Sequence, residues 1–209
     1  MRNLLLFVLV CFLVGPLYAG SEPPVQPVVR QETQDVFAKG GKEFQSVAGL
    51  FYFFDRGGND GPSIDLAVAS LRWGIMLSNP HGTGFFAGNY EFLAEVFAGG
   101  IFQGAGSVET GATLFLRYNF IQPQARVIPY MQIGGGGVYT DISETGSHGL
   151  VSLPVEFNLQ GTGGLRFMLN QRCSFILEAG YRHISNAAIK LPNGGVDSVG
   201  GDLGFGIFF

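Results

Sequence analysis

Near the carboxyl end of this 209-residue chain, the run Arg182-His183-Ile184-Ser185-Asn186 places a base and a hydroxyl two residues apart. In an extended strand residues i and i+2 share a face, so the His183 imidazole and the Ser185 hydroxyl can lean together as a general base and its nucleophile must. A carboxylate that orients the imidazole would complete a hydrolytic triad. If the flanking segments form a hairpin centred on Lys190, Asp197 falls directly across from His183. Opposed strand residues bring their side-chain roots to about 4.5–5.5 Å, close enough for that contact, whereas a one-residue slip would send Asp197 to the other face.

Strands must hold these groups, and eight strand-like segments follow one another: 43–54, 63–77, 84–98, 109–120, 127–139, 155–169, 173–185 and 198–209. Each is long enough to cross a bilayer obliquely, which takes about 9–11 residues. Turn-rich separators lie between them, including Gly57-Gly58-Asn59-Asp60-Gly61-Pro62, Asn79-Pro80-His81-Gly82 and Asn170-Gln171. Alternation is clearest in the last segment, where Val199, Leu203, Phe205, Ile207 and Phe209 oppose Gly200, Asp202, Gly204 and Gly206. It recurs with Phe157, Leu159, Leu165, Phe167 and Leu169 against Asn158, Gln160, Thr162 and Arg166.

The pattern predicts an all-β fold, an eight-stranded antiparallel transmembrane β-barrel with large apolar groups facing lipid. Such a barrel has room only for its own side chains, which disfavours solute transport. The same parity puts His183 and Ser185 on the lipid-facing side with Tyr181 and Ala179. An even strand number returns both ends of the barrel to the periplasm, so the loop at 186–197 is extracellular and the pair lies at the outer leaflet.

Composition agrees with export. Arg2, the apolar run Leu4 to Val14 and Leu17-Tyr18-Ala19 read as a signal peptide over residues 1–19. Cys11 lacks the small residues that precede a lipoprotein cysteine and leaves with that segment, so Cys173 stands alone as a packing residue and no internal disulfide forms. Loss of Arg2 takes the formal charge from −4 to −5, and no basic run survives, which excludes nucleic acid as a partner class. Residues 20–42, with Pro23, Pro24 and Pro27, read as a flexible periplasmic leader ahead of a barrel at 43–209.

Other signals have blander readings. Gly134 to Gly137 lacks the Lys-Ser/Thr ending of a phosphate loop and reads as interior or bend glycines. His81 and His148 have no second ligand at metal spacing and read as loop residues. Glu91 and Glu95, on one face with Asn89, are expected to pair inside the barrel with Arg72, Arg117, Arg166 or Arg182.

The stretch RHISNAAIKLPNGGVD resembles the active-site segment of the lipid A 3-O-deacylases of the PagL family. These are eight-stranded outer-membrane barrels whose serine, histidine and acid lie on the outside of the wall and remove an ester-linked acyl chain from lipid A. The resemblance makes Ser185 the nucleophile, His183 the general base and Asn186 an oxyanion-hole donor through its side-chain amide. The family's acid, usually glutamate, corresponds to Asp197, and Ala188 stands where the family usually has the glycine whose backbone amide completes the oxyanion hole. It implies a lipid A or lipopolysaccharide substrate met among outer-membrane lipids, with no cofactor or metal. The terminal Phe209 resembles the carboxy-terminal signature read by the barrel assembly machinery. Oligomeric state stays open, a homodimer included. The competing readings are a noncatalytic barrel of the structural or adhesion type, with His183 and Ser185 as interfacial residues, and a soluble lipocalin-like barrel, which the Phe-rich outer faces disfavour.

Overall fold

A computed structural model of the protein describes residues 36–54, 63–145 and 149–209. The expected signal peptide, most of the leader, the turn Gly57 to Gly61 and His148 lie outside these residues. Eight strands run in chain order: β1 (Lys42–Phe53), β2 (Asp65–Met76), β3 (Gly88–Gln103), β4 (Val108–Phe120), β5 (Val127–Thr140), β6 (Val155–Met168), β7 (Cys173–Ser185) and β8 (Val196–Phe208). Each pairs antiparallel with its neighbours, and β1 pairs with β8 to close the barrel.

The sequence segments and the strands part company in the third element. Gly84–Phe86 forms a 3₁₀ turn, with Gly84 at a φ of 63° that favours glycine. The strand starts at Gly88 and runs on to Gln103, because Gly99 and Gly100 pair with both β2 and β4. Apolar Phe85 and Phe86 made the turn look like strand.

The wall is apolar outside. Leu203, Phe205, Ile207, Leu159, Leu114 and Ile133 are all exposed on it, an exterior matched to hydrocarbon rather than water. The interior is ionic at its centre. Arg72 bonds Glu95 at 2.6 Å and Glu178 at 2.7 Å, and Arg166 meets Glu43 at 2.8 Å. Fully buried Arg117 lies between Gln132 at 2.8 Å, Glu43 at 3.3 Å and Glu91 and Glu178 at 3.5 Å, with its guanidinium 4.1 Å from the Tyr130 ring centre. In a low-dielectric interior these charges persist only by mutual pairing.

Apolar clusters cap this core at both ends. One joins Phe51, Leu66, Phe97, Ile142, Val151, Ile184 and Val196. The other joins Met76, Ile121, Ile128, Met168 and Phe208 around Phe37. Phe37 is fully buried and its ring centre lies 5.2 Å from that of Phe208, so the last residues expected in the leader plug the barrel. The folded unit therefore begins before Glu43.

Removing Arg117 strands several carboxylates around an apolar side chain. Arg117→Leu is expected to destabilise the barrel by about 3–5 kcal/mol in urea unfolding in lipid vesicles; a loss below about 1 kcal/mol would contradict the pairing argument.

Candidate active site

The site sits on β7 and β8, at the end of the barrel opposite Phe37. Two inward residues fix its orientation. Arg182 pairs with Glu109, donates to Asn158 Oδ1 at 3.0 Å and lies 4.8 Å from the Phe97 ring centre. Ile184 is buried in the apolar cluster that contains Phe51, Phe97 and Val196. With 182 and 184 pinned inside, the pleat turns Tyr181, His183 and Ser185 to the outer wall.

The β7–β8 register sets His183 directly opposite Asp197. His183 Nδ1 lies 2.7 Å from Asp197 Oδ1, and Nε2 lies 2.9 Å from Ser185 Oγ. A carboxylate can only accept, so Nδ1–H donates to Asp197; a neutral imidazole then offers its Nε2 lone pair to the Ser185 hydroxyl. This continuous line of hydrogen bonds is the arrangement that proton abstraction from a serine requires. Asp197 Oδ1 also accepts the Tyr181 hydroxyl. The acid is buried at 8% side-chain exposure while the imidazole keeps 23%.

The structure departs from the sequence expectation at Asn186. Its side chain has inward parity and is buried. Its Nδ2 donates to Ser152 Oγ at 3.0 Å, to the Lys190 carbonyl at 3.1 Å and to Glu156 Oε1 at 3.4 Å, and its Oδ1 accepts Lys190 N–H. An amide so occupied organises the loop and does not reach toward Ser185. The family resemblance assigned its side chain to the oxyanion, but directly after outward Ser185 it takes the opposite, inward parity.

Ala187 and Ala188 follow with φ of 52° and 62°. Left-handed backbone at two successive alanines is strained and persists only where the surroundings over-determine it. Here Asn186 clamps Lys190 at both its N–H and its carbonyl, and Ile189 N–H returns to the Asn186 carbonyl. Among the described residues neither Ala187 nor Ala188 N–H has a partner, and both residues are exposed beside Ser185.

Sequence reasoning missed two supports. The β5–β6 loop straps the site loop, with Gly194 and Gly195 N–H donating to the Gly149 and Leu150 carbonyls at 2.9 and 2.8 Å. Gly195 has a φ of 80°, and a Cβ there would lie 2.7 Å from His183 Cε1, so only glycine leaves room for the imidazole. The spacing of glycines before β8 was the available signal. Among the described residues no cluster of three or more His, Cys, Asp or Glu could hold a metal. His81 is an exposed loop residue, its Nδ1 3.1 Å from the Asn79 carbonyl.

A comparison with curated proteins finds no match. Among solved structures the chain is similar to Neisserial surface protein A, at 15% identity over 80% of this chain and 97% of that one, with a TM-score of 0.52, which shows a shared barrel fold. The outer membrane enzyme PagL matches at 17% identity over 79% of this chain and 98% of that one, with a TM-score of 0.49. OprG from Pseudomonas aeruginosa matches at 18% identity over 82% and 97%, with a TM-score of 0.43. The family model for lipid A 3-O-deacylase (PagL) matches residues 64–205, from the start of β2 through most of β8, and on that match the chain belongs to the lipid A 3-O-deacylase (PagL) family.

Proposed function

We propose that this protein is a serine esterase of the outer membrane that removes the 3-O-linked acyl chain of lipid A. The outward-facing hydrogen-bonded line Ser185, His183, Asp197 carries the reading, since it stands on the apolar wall where a membrane-embedded ester can reach it. Substrate arrives by lateral diffusion, with its acyl chain along the wall beside Tyr181 and Ala179. Across β6 from these stand Gly161 and Gly163, outside which a side chain would meet open space.

His183 Nε2 takes the Ser185 proton as Oγ attacks the ester carbonyl. The Ala187 and Ala188 N–H groups, without other partners among the described residues, are the donors we assign to the developing oxyanion, with Asn186 holding the loop that presents them. Collapse breaks the ester C–O bond, and the protonated imidazole returns its proton to the departing sugar oxygen. Water, deprotonated by His183, then cleaves the acyl-serine and releases the fatty acid. Asp197 holds the imidazole and stabilises its cationic form throughout.

Ser185→Ala is expected to abolish loss of the ester-linked chain, read by mass spectrometry of lipid A from a lipopolysaccharide-producing host at matched membrane levels. Equal deacylation by both chains would remove the serine from the mechanism, and unchanged lipid A with both would favour a noncatalytic barrel. Gly195→Ala is expected to push the imidazole off Ser185 and cost about 10²–10⁴ in kcat, the range for losing general-base catalysis; wild-type turnover would show that the ring does not depend on that glycine.

A further inference from the structure

The acid of this site is an aspartate, one methylene shorter than a glutamate. Its carboxylate reaches along the outer wall toward His183. The same oxygen, Asp197 Oδ1, that accepts His183 Nδ1–H also accepts the Tyr181 hydroxyl. Tyr181, His183 and Ser185 form one outward row on β7, with Tyr181 opposite Val199 and His183 opposite Asp197, so the phenol crosses diagonally to the acid. Tyr181 is itself fixed. Its ring centre lies 6.1 Å from that of Phe54, and Phe54 N–H donates to the Asp197 carbonyl at 3.0 Å. Phe54, the residue after β1, thus secures the tyrosine through its ring and the acid through its backbone.

We infer that Tyr181 is a positioning residue that lets the short Asp197 serve as the orienting acid: its hydroxyl locks Oδ1 in line with the imidazole and solvates a carboxylate held at the lipid face. Two donors on one carboxylate oxygen fix its direction and offset the loss of water around it. The inference rests on the serine-esterase reading. It ties the tyrosine to the choice of aspartate, so a longer acid should no longer need it.

The test is a double-mutant cycle in purified, refolded barrels with lipid A in mixed micelles: wild type, Tyr181→Phe, Asp197→Glu and the double variant, with Ser185→Ala as control. Tyr181→Phe keeps the ring against Phe54, and the barrel's heat-modifiable gel mobility verifies folding. In the aspartate background it is expected to lower kcat by about 10–100-fold with KM unchanged, the usual scale for losing a group that orients a reacting one. In the glutamate background the same change is expected to cost less than about threefold. Tyr181→Gln, which keeps an N–H donor and loses the ring, should retain more kcat than Tyr181→Phe.

Wild-type kcat in Tyr181→Phe, an equal loss in both backgrounds, or a rise in KM alone would each overturn the proposal. Turnover by Ser185→Ala would instead overturn the esterase reading. An inert Ser185→Ala beside a fully active Tyr181→Phe leaves that reading standing and removes only the tyrosine's part.

Discussion

Hydrocarbon offers no hydrogen bonds, so every strand N–H and C=O on an apolar wall must find its partner within the sheet. The antiparallel pairing of β1 with β8 meets that demand by leaving no edge among the eight strands. Closure has a second consequence, because each strand is held on two sides and its register cannot slide without breaking both ladders. A slip of one residue would exchange the two faces of a strand. The facing of His183 and Ser185, and the alignment of His183 with Asp197, follow from a ring of pairings that runs around the whole barrel.

The interior reinforces that register from within. Arg182 and Ile184 alternate with the outward groups of β7, one held by Glu109 and Asn158 and the other by the apolar cluster around Phe97 and Val196. Arg72, Arg117 and Arg166 tie β2, β4 and β6 to carboxylates on β1, β3 and β7. An ionic lattice of this kind costs much to leave half-paired, and it therefore opposes any rearrangement that would rotate a strand. Above it, the β5–β6 loop holds the β7–β8 loop through Ser152, Gly149 and Leu150, which keeps Ala187 and Ala188 in their strained conformation next to the serine.

Much of this was legible in the sequence because a strand's period of two needs only hydrophobicity to be read. The β7 limits, 173 and 185, and the opposition of His183 and Asp197 came from parity and the centring of one hairpin. What escaped was what parity does not encode. Phe85 and Phe86 are as apolar as any strand pair, yet Gly84 turns the chain beneath them. Phe37 follows a proline-rich stretch, but its burial depends on Met76, Ile128 and Phe208, all distant in sequence. Asn186 was assigned to the oxyanion by resemblance, and its partners are Ser152 of the β5–β6 loop, Glu156 of β6 and Lys190 of its own loop. The role of Gly195 required knowing where the imidazole edge lies.

The central claim is that Ser185 is a nucleophile activated by His183 on the outer wall of the barrel. The most direct measurement is peptide mass spectrometry of the folded protein in lipid vesicles after exposure to a long-chain fluorophosphonate, which traps activated serines. The account predicts a single phosphonyl adduct on Ser185 that disappears in His183→Ala. No adduct at Ser185 in the folded barrel, or an equal adduct without His183, would contradict it.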